Sequence, residues 1–288
     1  MDWIETLING AMLGGLYGLL GIGLALVFGV MRVINIAHGE FMVLSAFMAV
    51  TLAGLFPSIN PLLVLVPVII ASFAVGYAYQ AMIVNRVVRT HDPLAPLLLT
   101  FGISVIARNV MVETFGADVR SLKVGDLARA SIDLFGLRLG LLPLLTLGLA
   151  IVLFLVLQWV MSRTRFGRIV RATADLDEVV RLMGINPSRV YNIVMGLSLA
   201  LGAVGGVLLA VRSSFTPFSG ADRLLISFEV VVLGGIGSFW GALVGGIALG
   251  VAQLVGLKFD PNAGLLYAHL LFFVGLLVRP NGLIAART

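Results

Sequence analysis

Stretches of about twenty consecutive apolar residues, repeated from one end of the chain to the other, limit its fold more than any motif within it. A helix needs about 20 such residues to cross a bilayer. Candidates lie at 8–30, 38–56, 62–84, 94–115, 140–161, 188–211 and 263–279, with a further glycine-broken run at 224–256. The expected fold is an all-α polytopic membrane protein, one transmembrane domain over 1–288. It has about eight transmembrane helices (seven to nine), depending on how the broken run is counted. Only 11% of the residues are charged, against roughly 25% in a soluble domain, so the bilayer must be the solvent. The 34 glycines suit helices that approach closely at small residues. The absence of Cys excludes disulfides, thiolate metal sites and cysteine nucleophiles. Three scattered His residues do not suggest a metal site, and the basic residues form no stripe with aromatics that would suit a nucleic acid. The first run is too long for a signal-peptide core, and Asp2 and Glu5 precede it, so it reads as a retained helix.

Basic residues orient the runs, because Lys and Arg concentrate on the cytoplasmic side. Arg86 and Arg89 follow the third run. Arg163, Arg165, Arg168, Arg171, Arg181 and Arg189 fill the link after the fifth, and Arg279 and Arg287 close the chain. With Arg32 these are 11 of the 19 Lys and Arg, and one topology gathers all of them on the cytoplasmic side. It leaves the N-terminus outside, the C-terminus in the cytoplasm, and the mixed-charge link 116–139 outside. It also makes 224–256 start and end outside, since Arg223 and Lys258 fall there. Two crossings in about 33 residues are short, with the turn at LGGIGSFWG, Leu233 to Gly241. The limb 224–235 would rise only about 18 Å as a helix. Short or re-entrant helices are therefore expected near 31–40 and 224–241. The two interrupted regions, 31–40 and 233–241, precede similar apolar runs, FMVLSAFMAV and ALVGGIALGV, which suggests a faint internal repeat.

The polar stretch MRVINIAHGE, Met31 to Glu40, packs Arg32, Asn35, His38 and Glu40 between two apolar runs. Asn35 can cap the following helix and Gly39 permits close packing, while His38 and Glu40 are candidates to line the inner mouth. Ionisable residues inside membrane segments mark functional candidates, here Arg108, Glu113, Glu229 and His269. Arg108 and Glu113 are five apart, a poor spacing for a pair. Glu113 suits a solvated helix end, Glu229 on the short limb suits a solute path or a bond between helices, and His269 suits packing. Asn9 and Gln253 suit hydrogen bonds across helices. Gly234, Gly235 and Gly237 belong to the expected turn and, with Asn35, His38, Glu40, Arg108 and Glu229, are the candidates to line the translocation path.

The link Arg171 to Gly196, RATADLDEVVRLMGINPSRVYNIVMG, reads as a short helix at about 175–184. Asp175 is an expected N-cap and Glu178 completes a capping box. Leu176, Val179, Val180 and Met183 form an apolar stripe, with Asp177, Glu178 and Arg181 off it. Gly184 fits a C-terminal cap, then Asn186 caps a new helix with Pro187 at its first position. So short a helix needs a partner: the bilayer surface, the protein itself, or another subunit.

Three ordered stretches carry a resemblance that spans essentially the whole chain. GLYGLLGIGLALVFGVMRVINIAHGEFMVLSAF, FGRIVRATADLDEVVRLMGIN and FEVVVLGGIGSFWGALVGGIALGVAQ resemble the signatures of the branched-chain amino-acid-type permeases of ABC importers. EVVRLMG, Glu178 to Gly184, resembles their coupling motif, with Val179 and Val180 where small Ala residues are usual. The resemblance implies a permease of the bacterial or archaeal cytoplasmic membrane that works by alternating access. It implies a second related permease subunit, two cytoplasmic ATPase subunits and an extracytoplasmic solute-binding protein. ATP and Mg would sit on the ATPase subunits and no cofactor on this chain, in keeping with the absence of a phosphate-binding G-x-x-x-x-G-K-[ST] loop. No nucleophile or paired-carboxylate set marks an enzyme. Alternatives are an ion-gradient-driven secondary transporter, or the same permease role for urea, amides or related small solutes.

Overall fold

The computed structural model describes residues 2–58, 60–88, 94–134 and 137–284. Arg89 and Arg287 fall outside them. Among the described residues the helices are, in order, α1 (Asp2–Met31), α2 (His38–Leu55), α3 (Leu65–Tyr79), α4 (Asn85–Val88), α5 (Leu94–Phe115) and α6 (Leu141–Arg163). Then come α7 (Arg165–Asp175), α8 (Asp177–Leu182), α9 (Pro187–Arg212), α10 (Gly220–Gly234), α11 (Phe239–Phe259) and α12 (Gly264–Val278). A π-helical turn, Gln80–Val84, joins α3 to α4 without a break. The only sheet among the described residues is the antiparallel hairpin β1 (Ser131–Leu134) and β2 (Leu137–Gly140), in register Ser131 to Gly140, within the link after α5.

Seven of these helices, with α3 counted through α4, are long and apolar enough to cross a membrane. The chain is therefore an all-α, multi-pass membrane protein. The broken run resolves into two helices, α10 and α11, so it is not one long helix loosened by glycine. α10 and α12 have 15 residues each, about 22 Å of rise, too short to cross a bilayer upright.

α1 and α9 are the most enclosed helices, and α3, α5 and α6 are peripheral. α1 runs antiparallel to α11, with Gly10, Gly14 and Gly18 against Val251, Ile247 and Leu243. A Cβ on Gly10 would lie 2.7 Å from the Val251 Cα, so this row of small residues sets the approach. One end of the bundle carries an aromatic and cationic cluster: Lys258 Nζ lies 4.3 Å from the Trp3 ring, which also meets Phe259. Amphipathic rings favour a membrane–water interface. We call this the Trp3 side and the opposite end, where α1 stops, the Arg32 side.

Two connections turn back into the bundle. Arg32 ends α1 with φ 54°, and residues 32–37 then double back so that His38 packs against Gly23. Eight residues of α1 correspond to about 12 Å of return. From the other side, Phe215 stacks edge-on against Phe47 of α2. Gly220 then meets Gly39 and Glu40, seven residues and about 10 Å deeper along the same helix. Thus α1 and α9 run in opposite directions, and each is followed by a re-entrant segment and a helix that starts inside the bundle. The partner of 32–37 is 213–219, not 233–241. The glycines at 233–241 mark an ordinary turn between α10 and α11, whereas 213–219 looks like a surface link because it is SSFTPFS.

Candidate functional site

The two re-entrant segments meet at one buried junction. Its centre is Glu40, in the first turn of α2, 2% exposed and lying on the Cα of Gly220 at the start of α10. Both helix N-termini present positive dipole ends to a carboxylate. Arg108 of α5 donates to Glu40 Oε1 through Nε at 3.2 Å and Nη2 at 2.6 Å, while Oε2 has no partner among the described residues. An intramembrane charge needs such a partner. Glu113 is exposed and apart from this pair.

His38 is fully buried beside Gly23 and Gly202. Asn35 fixes the segment before it. Its Oδ1 accepts from Ala37 N at 3.2 Å and from Tyr79 Oη at 3.3 Å, and its Nδ2 lies 3.7 Å from Met195 Sδ. Ile36 N donates to Thr100 Oγ1 at 3.2 Å, tying the segment to α5. Asn35 thus holds the turn that feeds α2, although the residue that caps the helix, Ala37, uses no side chain. His38 and Glu40 do not lie at an inner mouth, because 32–37 climbs back alongside α1 instead of bridging two helix ends.

A second pair, of buried Glu229 and half-buried His269, ties α10 to α12. Glu229 Oε1 lies 2.6 Å from His269 Nδ1. The turn below it uses Gly235 at φ 111° and Gly237 at φ 81°, conformations that L side chains rarely adopt. Gly234 packs against Gly241, and Ser238 caps α11 by accepting from Gly241 N at 3.0 Å. Two carbonyls left open by the end of α10 accept from the chain's own tail: Leu283 N donates to Leu233 O at 2.8 Å and Ile284 N to Gly234 O at 2.9 Å. Such end carbonyls otherwise lack partners.

On the Arg32 side lie α7 and α8. Thr164 caps α7 by accepting from Gly167 N at 3.1 Å. The helix then runs through Ala172 and Ala174 to Asp175, because extending a helix is easier than starting one. Asp175 is therefore the last residue of α7 and not an N-cap. Leu176 takes that place without a side-chain bond, and the Glu178 half of the expected capping box lies outside the described residues. Asp177 and Glu178 belong to α8 by their backbone, and their side chains lie outside the described residues. The expected stripe is split. Val180 is 2% exposed and faces the protein, whereas Leu176, Val179 (46%), Leu182 (88%) and Met183 (72%) are exposed. Gly184 closes the turn at φ 79°, and Asn186 caps α9 by accepting from Ser188 N at 3.0 Å, with Pro187 first in the helix. A cavity of about 910 Å³ joins α7 to the α10–α11 turn. Arg171, Asp175, Gly237 and Trp240 line it, with Arg32 and Ile284.

Sequence reasoning missed a polar chain at the π turn. Gln80 Nε2 donates to Asn85 Oδ1 at 3.0 Å, and Asn85 Nδ2 to Asn192 Oδ1 at 2.8 Å, joining α3 and α4 to α9. Its signal was the pair of amides in YQAMIVN, inside an apolar run. Gln253 does bond across helices, accepting from Tyr17 Oη.

Residues 6–278 match the family model described as "Branched-chain amino acid transport system / permease component". The chain is 30% identical over 294 residues to the high-affinity branched-chain amino acid transport system permease protein BraD of Pseudomonas aeruginosa, covering 98% of this chain and 95% of BraD. It is 30% identical to the corresponding LivH protein of Salmonella typhimurium, with the same coverages, 98% and 95%. A more distant relative is the fructose import permease protein FrcC of Rhizobium meliloti, 29% identical over 78% of this chain and 70% of FrcC. Among solved structures, PsaBC from Streptococcus pneumoniae in complex with Fab aligns with 96% of this chain and 91% of its own at 14% identity and a TM-score of 0.47, too distant a likeness to argue from. With a family model matching nearly its whole length and relatives at 30% identity over 98% of it, the chain belongs to the permease components of branched-chain amino acid transport systems.

Proposed function

We propose that the chain is the membrane permease of an ATP-driven importer in a bacterial or archaeal cytoplasmic membrane. It moves branched-chain or other amino acids inward by alternating access. The Trp3 side faces outward and the Arg32 side faces the cytoplasm, with the N-terminus outside and the C-terminus inside. It works with a second related permease subunit, two cytoplasmic ATPase subunits that hold ATP and Mg, and an extracytoplasmic solute-binding protein. The chain itself does no covalent chemistry.

The observation that carries this reading is α8. This six-residue helix leaves Leu182 88% exposed and Met183, just beyond it, 72% exposed on the basic side of the bundle, an apolar face with no cover among the described residues. Such a face suits a groove on a cytoplasmic motor. Val180 anchors the helix to the bundle, and the adjoining cavity leads from α7 to the 235–238 turn and the tail. A push on α8 thus reaches α10, whose other end meets Glu40 at the junction. The junction, with Asn35, His38, Glu40, Arg108 and Gly220, forms the gate between the two sides, and Glu229 and the glycines 234, 235 and 237 form its inner hinge. A two-state element of this kind is what alternating access requires.

The test uses the two valines differently. Val179→Asp charges the exposed face without disturbing the core. In the purified assembly it should abolish solute-stimulated ATP hydrolysis, with insertion and subunit association intact. Val180→Asp should instead reduce the amount of folded protein, because its side chain is buried. Full stimulation in the Val179→Asp assembly would sink the docking role of α8.

A further inference from the structure

A second cavity lies on the Trp3 side, away from the Glu40 junction. It has a volume of about 410 Å³ and is walled by α1, α9, α10, α11 and α12. Two guanidiniums, Arg212 at the end of α9 and Arg223 in α10, face it. Neither has an ion-pair or hydrogen-bond partner among the described residues. Tyr17 and Gln253 also line it. The tyrosine hydroxyl donates to Gln253 Oε1, which leaves the Gln253 amide nitrogen without a partner among the described residues and free to donate. Asp222 stands beside Arg223, Ser213 and His269 also line the cavity, and the apolar part of the wall includes Leu209, Leu254 and Leu265.

This donor set has a specific chemical preference. Two guanidiniums on one partly enclosed space favour an anion there. Guanidinium forks match the two oxygens of a carboxylate. The apolar part of the wall favours an anion that carries an aliphatic group, and one acid beside Arg223 suits an ammonium. The volume lies within the range of small-ligand sites.

We propose that this cavity is a holding site for an aliphatic amino acid. Arg212, Arg223 and the Gln253 amide take its carboxylate, Asp222 its ammonium, and Leu209, Leu254 and Leu265 its side chain. The site rests on the amino-acid reading above and adds to it a station within this subunit, between solute delivery and the Glu40 junction. Glu229 holds the His269 wall from beneath.

The experiment is binding of radiolabelled leucine to the purified transporter assembly in nanodiscs, without the solute-binding protein. Leucine uptake by the complete system is measured in parallel. Wild type should bind leucine, and 3-methylbutylamine, which is leucine without its carboxylate, should not compete. The Arg212→Gln/Arg223→Gln variant should lose at least tenfold in affinity and raise the KM for uptake, with unstimulated ATP hydrolysis unchanged. Leu265→Trp, which fills the cavity from an exposed wall position, should give the same loss and serves if the double variant does not assemble. Unchanged leucine affinity in these variants, or equal competition by the amine, would overturn the site. Nanodiscs of phosphatidylcholine alone and with phosphatidylglycerol separate the solute from a lipid phosphate. If the arginine changes alter only the response to phosphatidylglycerol, the cavity holds a lipid headgroup and the proposal fails. Absence of leucine uptake in wild type would instead overturn the amino-acid reading itself.

Discussion

Glu40 shows how much one side chain can organise. It closes the first turn of α2, covers the start of α10 and pairs with Arg108 of α5. Removing one member of a buried pair strands the other, which is worse than removing both. Glu40→Gln and Arg108→Gln should each lower the unfolding temperature in detergent, and the double variant should recover part of the loss. The coupling should be about 1–3 kcal/mol in a double-mutant cycle; additive losses would show that the pair does not hold the junction. Gly220→Ala tests the same contact from the other side. Its Cβ would collide with the Glu40 carboxylate, whereas a Cβ on Gly102 meets nothing within 4 Å. Gly220→Ala should reduce uptake severely and Gly102→Ala should leave it unchanged. Little of this was legible in the sequence. Glu40, Arg108, Glu229 and His269 stand out as charges in apolar runs, but 68 and 40 residues separate the partners of the two pairs. Spacing rules reach only one or two helical turns.

Elements were legible where local chemistry decides them. Asn186-Pro187 starts α9, Gly184 ends the turn after α8, and the glycines at 234–237 separate α10 from α11, all set by side chains within a few residues. The sequence misled where a tertiary contact decides. SSFTPFS has the composition of a surface link, yet it descends into the bundle because Phe215 seats on Phe47 and Thr216 caps the turn that leads to Gly220. Likewise, Asp175 resembles an N-cap, but α7 continues through it. The tail offers a test at this scale. Residues 283 and 284 satisfy two carbonyls at the end of α10, and each bared buried carbonyl costs about 1–3 kcal/mol. Truncation after Arg279 should therefore lower the unfolding temperature and weaken ATP-coupled uptake more than basal ATP hydrolysis. An unaffected truncated chain would show that the tail does not support the hinge.

At the scale of the whole molecule, two halves of opposite direction meet at a buried junction. A cavity lies on each side, about 410 Å³ towards Trp3 and about 910 Å³ towards Arg32. The closed centre between them is packed by Gly18 on Leu243 and Gly21 on Val230. That is the arrangement a solute gate needs when energy enters at one end only. On the proposed function this energy comes from ATP through α8 and not from an ion gradient through the buried carboxylates. The most direct measurement is leucine uptake into proteoliposomes containing the chain, with its ATPase partners and binding protein either present or omitted. Uptake should require ATP together with every partner, and should persist when the proton and sodium gradients are collapsed. Leucine uptake by the chain without any ATPase, driven by an imposed ion gradient, would contradict the account.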